Sequence, residues 1–417
     1  MRVLHLATHD NYGGAARAAY RQHQALLSEG IDSRMLVRHK HSNDPRVQVY
    51  LGEHGLYHRL DRTIRRHQIE RLEKKARSFG VGSMTDPRAD LLRECISEIE
   101  EADIINIHKT EHFVDLTSLL QDIPPEKPIV LTIHDISPVT GGCDYPGECG
   151  RFQEGCGKCP ILKSDSLHDF SHQIFNLRKV AYDAREKSRF AFAADSHWTG
   201  EMARNSALTR DFRIEVIHYG IDQSVYSPLG REEARKALGI ALEEQVLCFA
   251  AHNLSLPHKG GKCLSEALAA IPEGRTMRLL TMGSGHFAAP DRFHNMAFGK
   301  IESDQLQALI YRAADVFVIP SLEEAFGQTA LEAISCGTVV AGFQVRGIVD
   351  IVKNGLNGEL VPRGDSLSLS RAIVTLLDSD ALRNSWIAIS DKWTSEKFSY
   401  KKNARAYLDL YSSLINI

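Results

Sequence analysis

Short apolar runs that end in polar residues recur along this chain, each followed by a helix-length segment, and they come in two successive series. The first opens with Arg2 to Thr8, a glycine turn Asn11-Tyr12-Gly13-Gly14, a helical stretch Ala15 to Glu29 closed by Gly30, and a second run, Asp32 to Val37. Asp103 to His108, Pro128 to His134 and Phe190 to Ala194 continue it, and Ile214 to Asp222 supplies a further strand and turn. The second series begins at Gln245 and runs through RLLTMGSG, DVFVIPS and TVVAGF. Alternation of apolar strands with helices is the pattern of a parallel sheet covered on both faces. Two series predict two sheets, and 417 residues are too many for one ordinary core. The fold class expected is α/β, with two Rossmann-like domains whose parallel sheets face each other across a cleft. The boundaries expected are 1–222, joined by 400–417 as a helix crossing back, and 223–399, with Tyr226-Ser227-Pro228 as the link.

Charge and hydropathy narrow the function. A formal net charge of -3 lacks the basic surplus of a nucleic-acid binder, so no nucleic-acid partner is expected. No window holds the roughly 20 consecutive apolar residues of a membrane span. The first residues, MRVLHLATHD, read as a strand and not as a secretory signal, so a cytoplasmic location is expected. His58 to Ser78 is dense in Lys and Arg, with Leu60, Ile64, Ile69 and Leu72 at roughly helical spacing. It reads either as a solvated helix or as a peripheral surface for anionic membrane lipid.

The most informative run is Pro320-Ser-Leu-Glu-Glu-Ala-Phe-Gly-Gln-Thr-Ala-Leu-Glu-Ala-Ile-Ser-Cys-Gly. It follows an apolar strand, so Ser321 to Gly327 should be the loop at that strand's carboxyl end. Thr329 to Ser335 should be the next helix, with Gly337 near its end. Glu324 then lies in the loop and Glu332 about a turn into the helix, where both could face one ligand. Carboxylates accept hydrogen bonds from sugar hydroxyls, and free amides at a helix start suit a phosphate.

The E-x7-E element, with E-x-F-G and a following L-E-A, resembles the signature of family 4 of the retaining glycosyltransferases, which have the GT-B fold. IHYGIDQSVYSP resembles that family's interdomain segment, HKGG its phosphate-binding lysine turn, and NGLNGELVPRGD its segment after the donor site. The resemblance implies a UDP- or GDP-sugar donor, with Glu332 on the nucleotide ribose and Glu324 beside the donor sugar hydroxyls. It implies that Lys259 and the amides around Phe326, Gly327 and Gln328 meet the pyrophosphate, that Asn253 lies in the donor site, and that Gly13 and Gly14 close over the phosphates. Many members carry an Arg in a V-G-R phrase where this chain has Ala251-His252-Asn253. Charge on the leaving group would then rest on Lys259 and helix dipoles, unless Arg346 or another residue substitutes.

PIVLTIH ends in His134-Asp135 at a strand's carboxyl end, where a histidine is well placed to meet a donor sugar or its phosphate. Asp135 could orient the imidazole or cap the next turn. Cys143, Cys149, Cys156 and Cys159 follow as C-x5-C-x6-C-x2-C, in a stretch rich in Gly and Pro. That spacing suits a closed structural zinc; reduced, metal-free thiols are the other reading. The His-Asp followed by this cysteine run also resembles a subset of family-4 enzymes acting in exopolysaccharide and lipopolysaccharide assembly. The reaction this implies is hexosyl transfer to a hydroxyl of a glycan or lipid-linked acceptor, with retention and with no cofactor required for the chemistry. Glu324, Lys259 and His134 are its expected catalytic groups. A GT-B sugar-nucleotide epimerase and a non-catalytic sugar-nucleotide binder are the alternatives.

Overall fold

The computed structural model describes residues 1–52 and 84–416, with single positions between 60 and 70. The basic segment from His58 to Ser78 lies for the most part outside the described residues. The chain divides into two compact units, Met1–Tyr219 with Asn403–Ile417, and Gly220–Lys402.

The first unit is built on a seven-stranded sheet. Its strands are β1 (Arg2–His9), β2 (Asp32–His39), β3 (Val47–Val49), β4 (Ile104–Ile107), β5 (Ile129–Ile133), β6 (Phe190–Ala194) and β7 (Arg213–Val216). Their order is β3-β2-β1-β4-β5-β6-β7, and each adjacent pair is parallel. β4, β5 and β6 are buried along their whole length, which is why their sequences are unbroken apolar runs. Helices α1 (Gly14–Ser28), α2 (Ser97–Glu101), α3 (Leu116–Asp122), α4 (Phe170–Asp183) and α5 (His197–Asn205) connect these strands. Polar side chains set several helix starts. Asp115 and Asp169 cap α3 and α4, and Ser196 with Thr199 forms a reciprocal capping box on α5.

The second unit holds a six-stranded sheet in the order β10-β9-β8-β11-β12-β13, again parallel at each pairing. Here α6 (Arg231–Ala237) leads to β8 (Gln245–Asn253), α7 (Gly261–Ala269), β9 (Met277–Ser284), β10 (Phe293–Ala297), α8 (Asp304–Ala313) and β11 (Val316–Ile319). Then come α9 (Gln328–Ser335), β12 (Val339–Phe343), α10 (Ile348–Ile351), β13 (Gly358–Val361) and α11 (Ser366–Leu377). A buried ion cluster sits at the amino end of this sheet. Asp315 is approached by Arg235 at 2.9 Å, Arg231 at 2.5 Å and Arg383 at 3.4 Å, and it accepts the Val246 N–H at 2.8 Å.

The terminal helical stretch is two helices, α12 (Asp380–Phe398) and α13 (Tyr400–Ile415), separated by Ser399 in an extended conformation (ψ 154°). Most of α13 belongs to the first unit. The Tyr411 hydroxyl accepts from Gln22 at 2.9 Å and Asn106 at 2.7 Å, and the Tyr407 hydroxyl lies 3.3 Å from Thr132. Arg189 donates to the carbonyls of Leu414 and Ile415, which satisfies acceptors that a helix end leaves open.

Both sheets reverse direction of growth at one place: between β1 and β4 in the first unit, and between β8 and β11 in the second. Loops leaving the carboxyl ends of those strands diverge, and the crevice they leave is where open α/β sheets bind ligands.

Candidate functional site

In the second unit the two diverging loops are 254–260 after β8 and 320–327 after β11, and they are locked together. The His258 carbonyl accepts the Leu322 N–H at 2.7 Å. Gly260 has φ +73° and touches the Pro320 backbone so closely that a Cβ would fall 1.7 Å from the Pro320 oxygen. This contact brings Lys259 Nζ to 2.7 Å from Glu324 Oε2, which also accepts from the Ser321 hydroxyl at 3.3 Å. Both side chains keep some solvent access, at 18% and 15%. A cation and a carboxylate thus meet directly at the switch point, beside the start of α9.

Gly327 caps α9 in the left-handed region (φ 103°) and has no side chain of its own to set over the amides that follow. Phe326 is buried and stacks edge-on against Phe398. Glu332 points inward, 3% exposed, and accepts from the Tyr311 hydroxyl at 3.0 Å. The two glutamates of the E-x7-E element are therefore held by different partners. Asn253 accepts the Ser255 N–H at 2.9 Å through its side chain and so shapes the β8 loop. Arg346 is held at the Glu323 carboxylate, which Arg363 also reaches at 2.8 Å. Sequence reasoning did not single out Glu323, although its burial at 8% and two arginine partners make it the anchor of this loop.

In the first unit the β1 loop carries Gly13 (φ 82°) at the start of α1, with Gly14 as the first helical residue. Asp10, fully buried, ties this loop to the one after β2 by accepting the N–H groups of Asn11, His41 and Ser42. Burial pushes its carboxyl up, but these bonds outweigh burial and hold it below the usual range. At the ends of β4 and β5, an open pocket is lined by His108, Lys109, His134, Asp135, Asp86 and Arg178, among others. Lys109 contacts Asp135, with Glu111 at 3.3 Å and Asp144 at 3.7 Å. Burial opposes its charge, yet the three carboxylates hold the ammonium well above its ordinary range.

His134 belongs to a chain of buried polar groups crossing the sheet. From one end, Asp195 Oδ2 lies 2.9 Å from the Tyr219 hydroxyl, which lies 2.5 Å from His134 Nδ1. His134 Nε2 meets His108 Nδ1 at 3.0 Å, and His108 Nε2 meets His5 Nδ1 at 2.9 Å. His5 Nε2 then meets Ser33 Oγ at 3.1 Å, and Ser33 Oγ meets His23 Nδ1 at 2.7 Å. The far nitrogen of His23 lies 3.4 Å from Asp44. Burial keeps all four imidazoles neutral at pH 7: His134 is pulled down to about 3, His23 to about 4, and His5 and His108 well below the ordinary value.

A neutral imidazole donates through one nitrogen only, so the chain has two polarities. With Asp195 ionised, every group donates towards Asp195, and His23 turns a lone pair on Asp44. With Asp195 protonated, every group donates the other way, and His23 turns its N–H on Asp44. Burial pushes Asp195 up to about 7, against the hydrogen bonds from Thr199 and Tyr219, so both polarities are accessible near neutral pH. Both ring nitrogens of His134 are engaged by protein groups, His108 and Tyr219, although the residue lines the pocket.

The four cysteines of the Gly- and Pro-rich stretch line one common pocket.

Residues 230–393, inside the second unit, match the family model described as glycosyl transferases group 1. A D-inositol 3-phosphate glycosyltransferase of Mycolicibacterium vanbaalenii is 30% identical over 222 residues, covering 49% of this chain and 48% of that protein. Its counterpart in Corynebacterium glutamicum is 34% identical over 189 residues, 41% of this chain and 45% of that protein. The match thus spans about half, or less, of the length of these curated relatives. Among solved structures, Anabaena HepE in complex with UDP and glucose aligns over 99% of this chain and 100% of that one, at 19% identity and a TM-score of 0.67. Sucrose-phosphate synthase from Thermosynechococcus elongatus aligns over 100% of both chains at 18% identity, with a TM-score of 0.68. At such identities the likeness is one of fold, and the fold is GT-B.

Proposed function

We propose that this protein is a retaining glycosyltransferase that moves a hexose from a UDP- or GDP-sugar to a hydroxyl of a glycan or lipid-linked acceptor in cell-surface polysaccharide assembly. The observation that carries this reading is the Lys259–Glu324 contact of 2.7 Å, at the switch point of the sheet matched to glycosyl transferases group 1. Without ligand the two charges neutralise each other. An arriving pyrophosphate takes over the Lys259 ammonium, supported by the amides of Gly327 and Gln328, and this releases the Glu324 carboxylate to accept from hydroxyls of the donor sugar. Glu332, already fixed through Tyr311, holds the ribose. No covalent nucleophile is needed in this scheme: the acceptor oxygen attacks the anomeric carbon from the face the phosphate leaves, and the departing phosphate oxygen takes the acceptor proton. Lys259 stabilises the charge that develops on that phosphate.

The test has two arms. Thermal-shift titration with UDP and with GDP, on wild type and on Glu332→Ala, identifies the donor base; a shift that survives unchanged in the variant refutes the ribose assignment. Product analysis with a matched UDP- or GDP-sugar and candidate acceptors reports the reaction. Conversion of the donor to an isomer without acceptor would assign an epimerase instead, and binding with no turnover would assign a sensor.

A further inference from the structure

The segment between the turn at Ser137–Val139 and α4 contains, as its only regular element among the described residues, a single 3-10 turn, Arg151–Gln153. A loop of this length is uncommon in a compact domain unless something orders it. Its own apolar material is slight: Cys159 and Leu162 form a small cluster with Met84, Ile161 and Phe170. Yet its backbone is tightly specified, with positive φ at Gly142, Gly147, Gly155, Gly157 and also at Lys158 (φ 46°) and Lys163 (φ 48°). Lysine gains nothing from that conformation on its own, and backbone bonds hold these turns: the Lys158 N–H donates to the Ser166 carbonyl at 2.7 Å and the Ser164 N–H to the Cys159 carbonyl at 3.1 Å.

What they surround is sulfur. Cys143, Cys149, Cys156 and Cys159 all line one pocket, and all are free thiols. Backbone donors converge on it. The Gly141 N–H donates to Cys156 Sγ at 3.1 Å, and the N–H groups of Ile161 and Leu162 are directed at the Cys159 sulfur. Amides two and three residues beyond a cysteine, aimed back at its sulfur, are the donors that a metal-bound thiolate accepts from. The carbonyl of Cys156 is held in turn by His172 Nδ1 at 2.8 Å, and that of Thr140 by Arg178 at 3.0 Å.

We propose that Cys143, Cys149, Cys156 and Cys159 bind one divalent zinc ion as four thiolates, and that this ion orders the 140–169 loop. Soft sulfur ligands in a closed set select zinc, and a fourth thiolate leaves no open position for substrate chemistry. Among the described residues no three of these sulfurs lie within 4.8 Å of one another, so ligation draws the side chains inward by rotation about χ1. Each thiol gives up its proton to solvent as its sulfur binds, and the metal's affinity then adds to the stability of the loop.

The loop is not remote from the pocket at the β4 and β5 ends. Cys143 forms a bridge with Met84, Gly142 O accepts the Thr85 N–H at 2.7 Å, and Asp144 is one of the three carboxylates around Lys109. Zinc at Cys143 therefore fixes Asp144 and, through it, the position of Lys109.

The test uses the full chain purified without a metal-affinity step, from cells supplied with zinc. Elemental analysis should return about one zinc per chain. The Cys156→Ser/Cys159→Ser variant should lose it, and Cys263→Ser, in α7, should keep it. Replacing zinc by cobalt in the wild-type chain should give the thiolate-to-cobalt charge-transfer absorption of a sulfur-only site. A zinc-free wild-type chain whose four thiols react with a thiol reagent in the native state would overturn the proposal. So would disulfides among the four in a chain kept under reducing conditions, or a cobalt spectrum without the sulfur band.

Discussion

Replacing Asp195 by Asn should make this protein more stable at alkaline pH and leave it much closer to wild type in acid. Asp195 is 1% exposed and titrates at about 7 in place of 3.8, because burial disfavours its charge. Its folded-state value lies above the unfolded one, so its favourable contribution is complete below about pH 4 and is lost as pH rises through about 7. At about 1.4 kcal/mol per pH unit, the whole displacement amounts to roughly 4 kcal/mol above pH 7, and to between about 1 and 2 kcal/mol at pH 5. Asparagine has no charge to bury. Its carbonyl can still accept from Thr199, and its amide can donate to the Tyr219 oxygen, which holds the histidine chain in the polarity where Tyr219 donates to His134. Relative to wild type, the variant should therefore gain about 2–3 kcal/mol between pH 5 and pH 8. Hydrogen exchange of peptides spanning β6 and α5, measured at several pH values with the intrinsic chemical rate corrected, reads this out for the first unit alone. A gap between variant and wild type that does not change with pH, or that narrows towards alkaline pH, would refute the assignment of Asp195 as the group that titrates near neutrality.

Lys259→Ala should lower the transfer rate by about 10²–10³-fold, the usual loss for one group that stabilises a developing anion, and an unchanged rate would sink the proposed role. Gly260→Ala combines a left-handed backbone, costing about 1–2 kcal/mol, with a Cβ placed on the Pro320 carbonyl; melting should fall and nucleotide-induced stabilisation should vanish, whereas Gly274→Ala, with open space around it, should leave the nucleotide response intact. Asp315→Ala strands the buried Arg235 guanidinium and should cost about 3–5 kcal/mol by urea denaturation, the magnitude seen when one partner of a buried pair is removed.

The parts of the fold legible in the sequence are those where one local pattern had one meaning. IINI, IVLTI and FAFAA are buried on both faces, so their apolar runs read directly as interior parallel strands. Glu324 and Lys259 were singled out through a spaced motif, and the loops that carry them do meet. The histidine chain was invisible for the opposite reason. His5, His23 and Ser33 each sit alone in segments that read as ordinary strand or helix, and only the placement of β1 between β2 and β4 brings them within reach of His108. That order is a property of long-range pairing. One clue was available: His108 and Lys109 stand at the carboxyl end of β4, beside the switch point, and the same rule that drew attention to His134 applies to them. The break at Ser399 also escaped notice, because helical spacing continues through it although its backbone is extended.

Close backbone approach in the second unit has a consequence for how such a site can diversify. A Cβ on Gly260 would meet the Pro320 oxygen at 1.7 Å, one on Gly347 the Ala325 oxygen at 1.8 Å, and one on Gly283 the Ala251 oxygen at 1.9 Å. The connections after β8, β11 and β12, and the ends of β8 and β9 beside them, thus rest on one another main chain to main chain, with no side-chain layer to absorb a change in size. Insertions or bulky replacements at these contacts would be transmitted to every neighbouring connection at once. Variation is therefore channelled into side chains that rise above this floor, such as those of His252, Ser255 and Leu322, while the floor itself is inherited as a single piece.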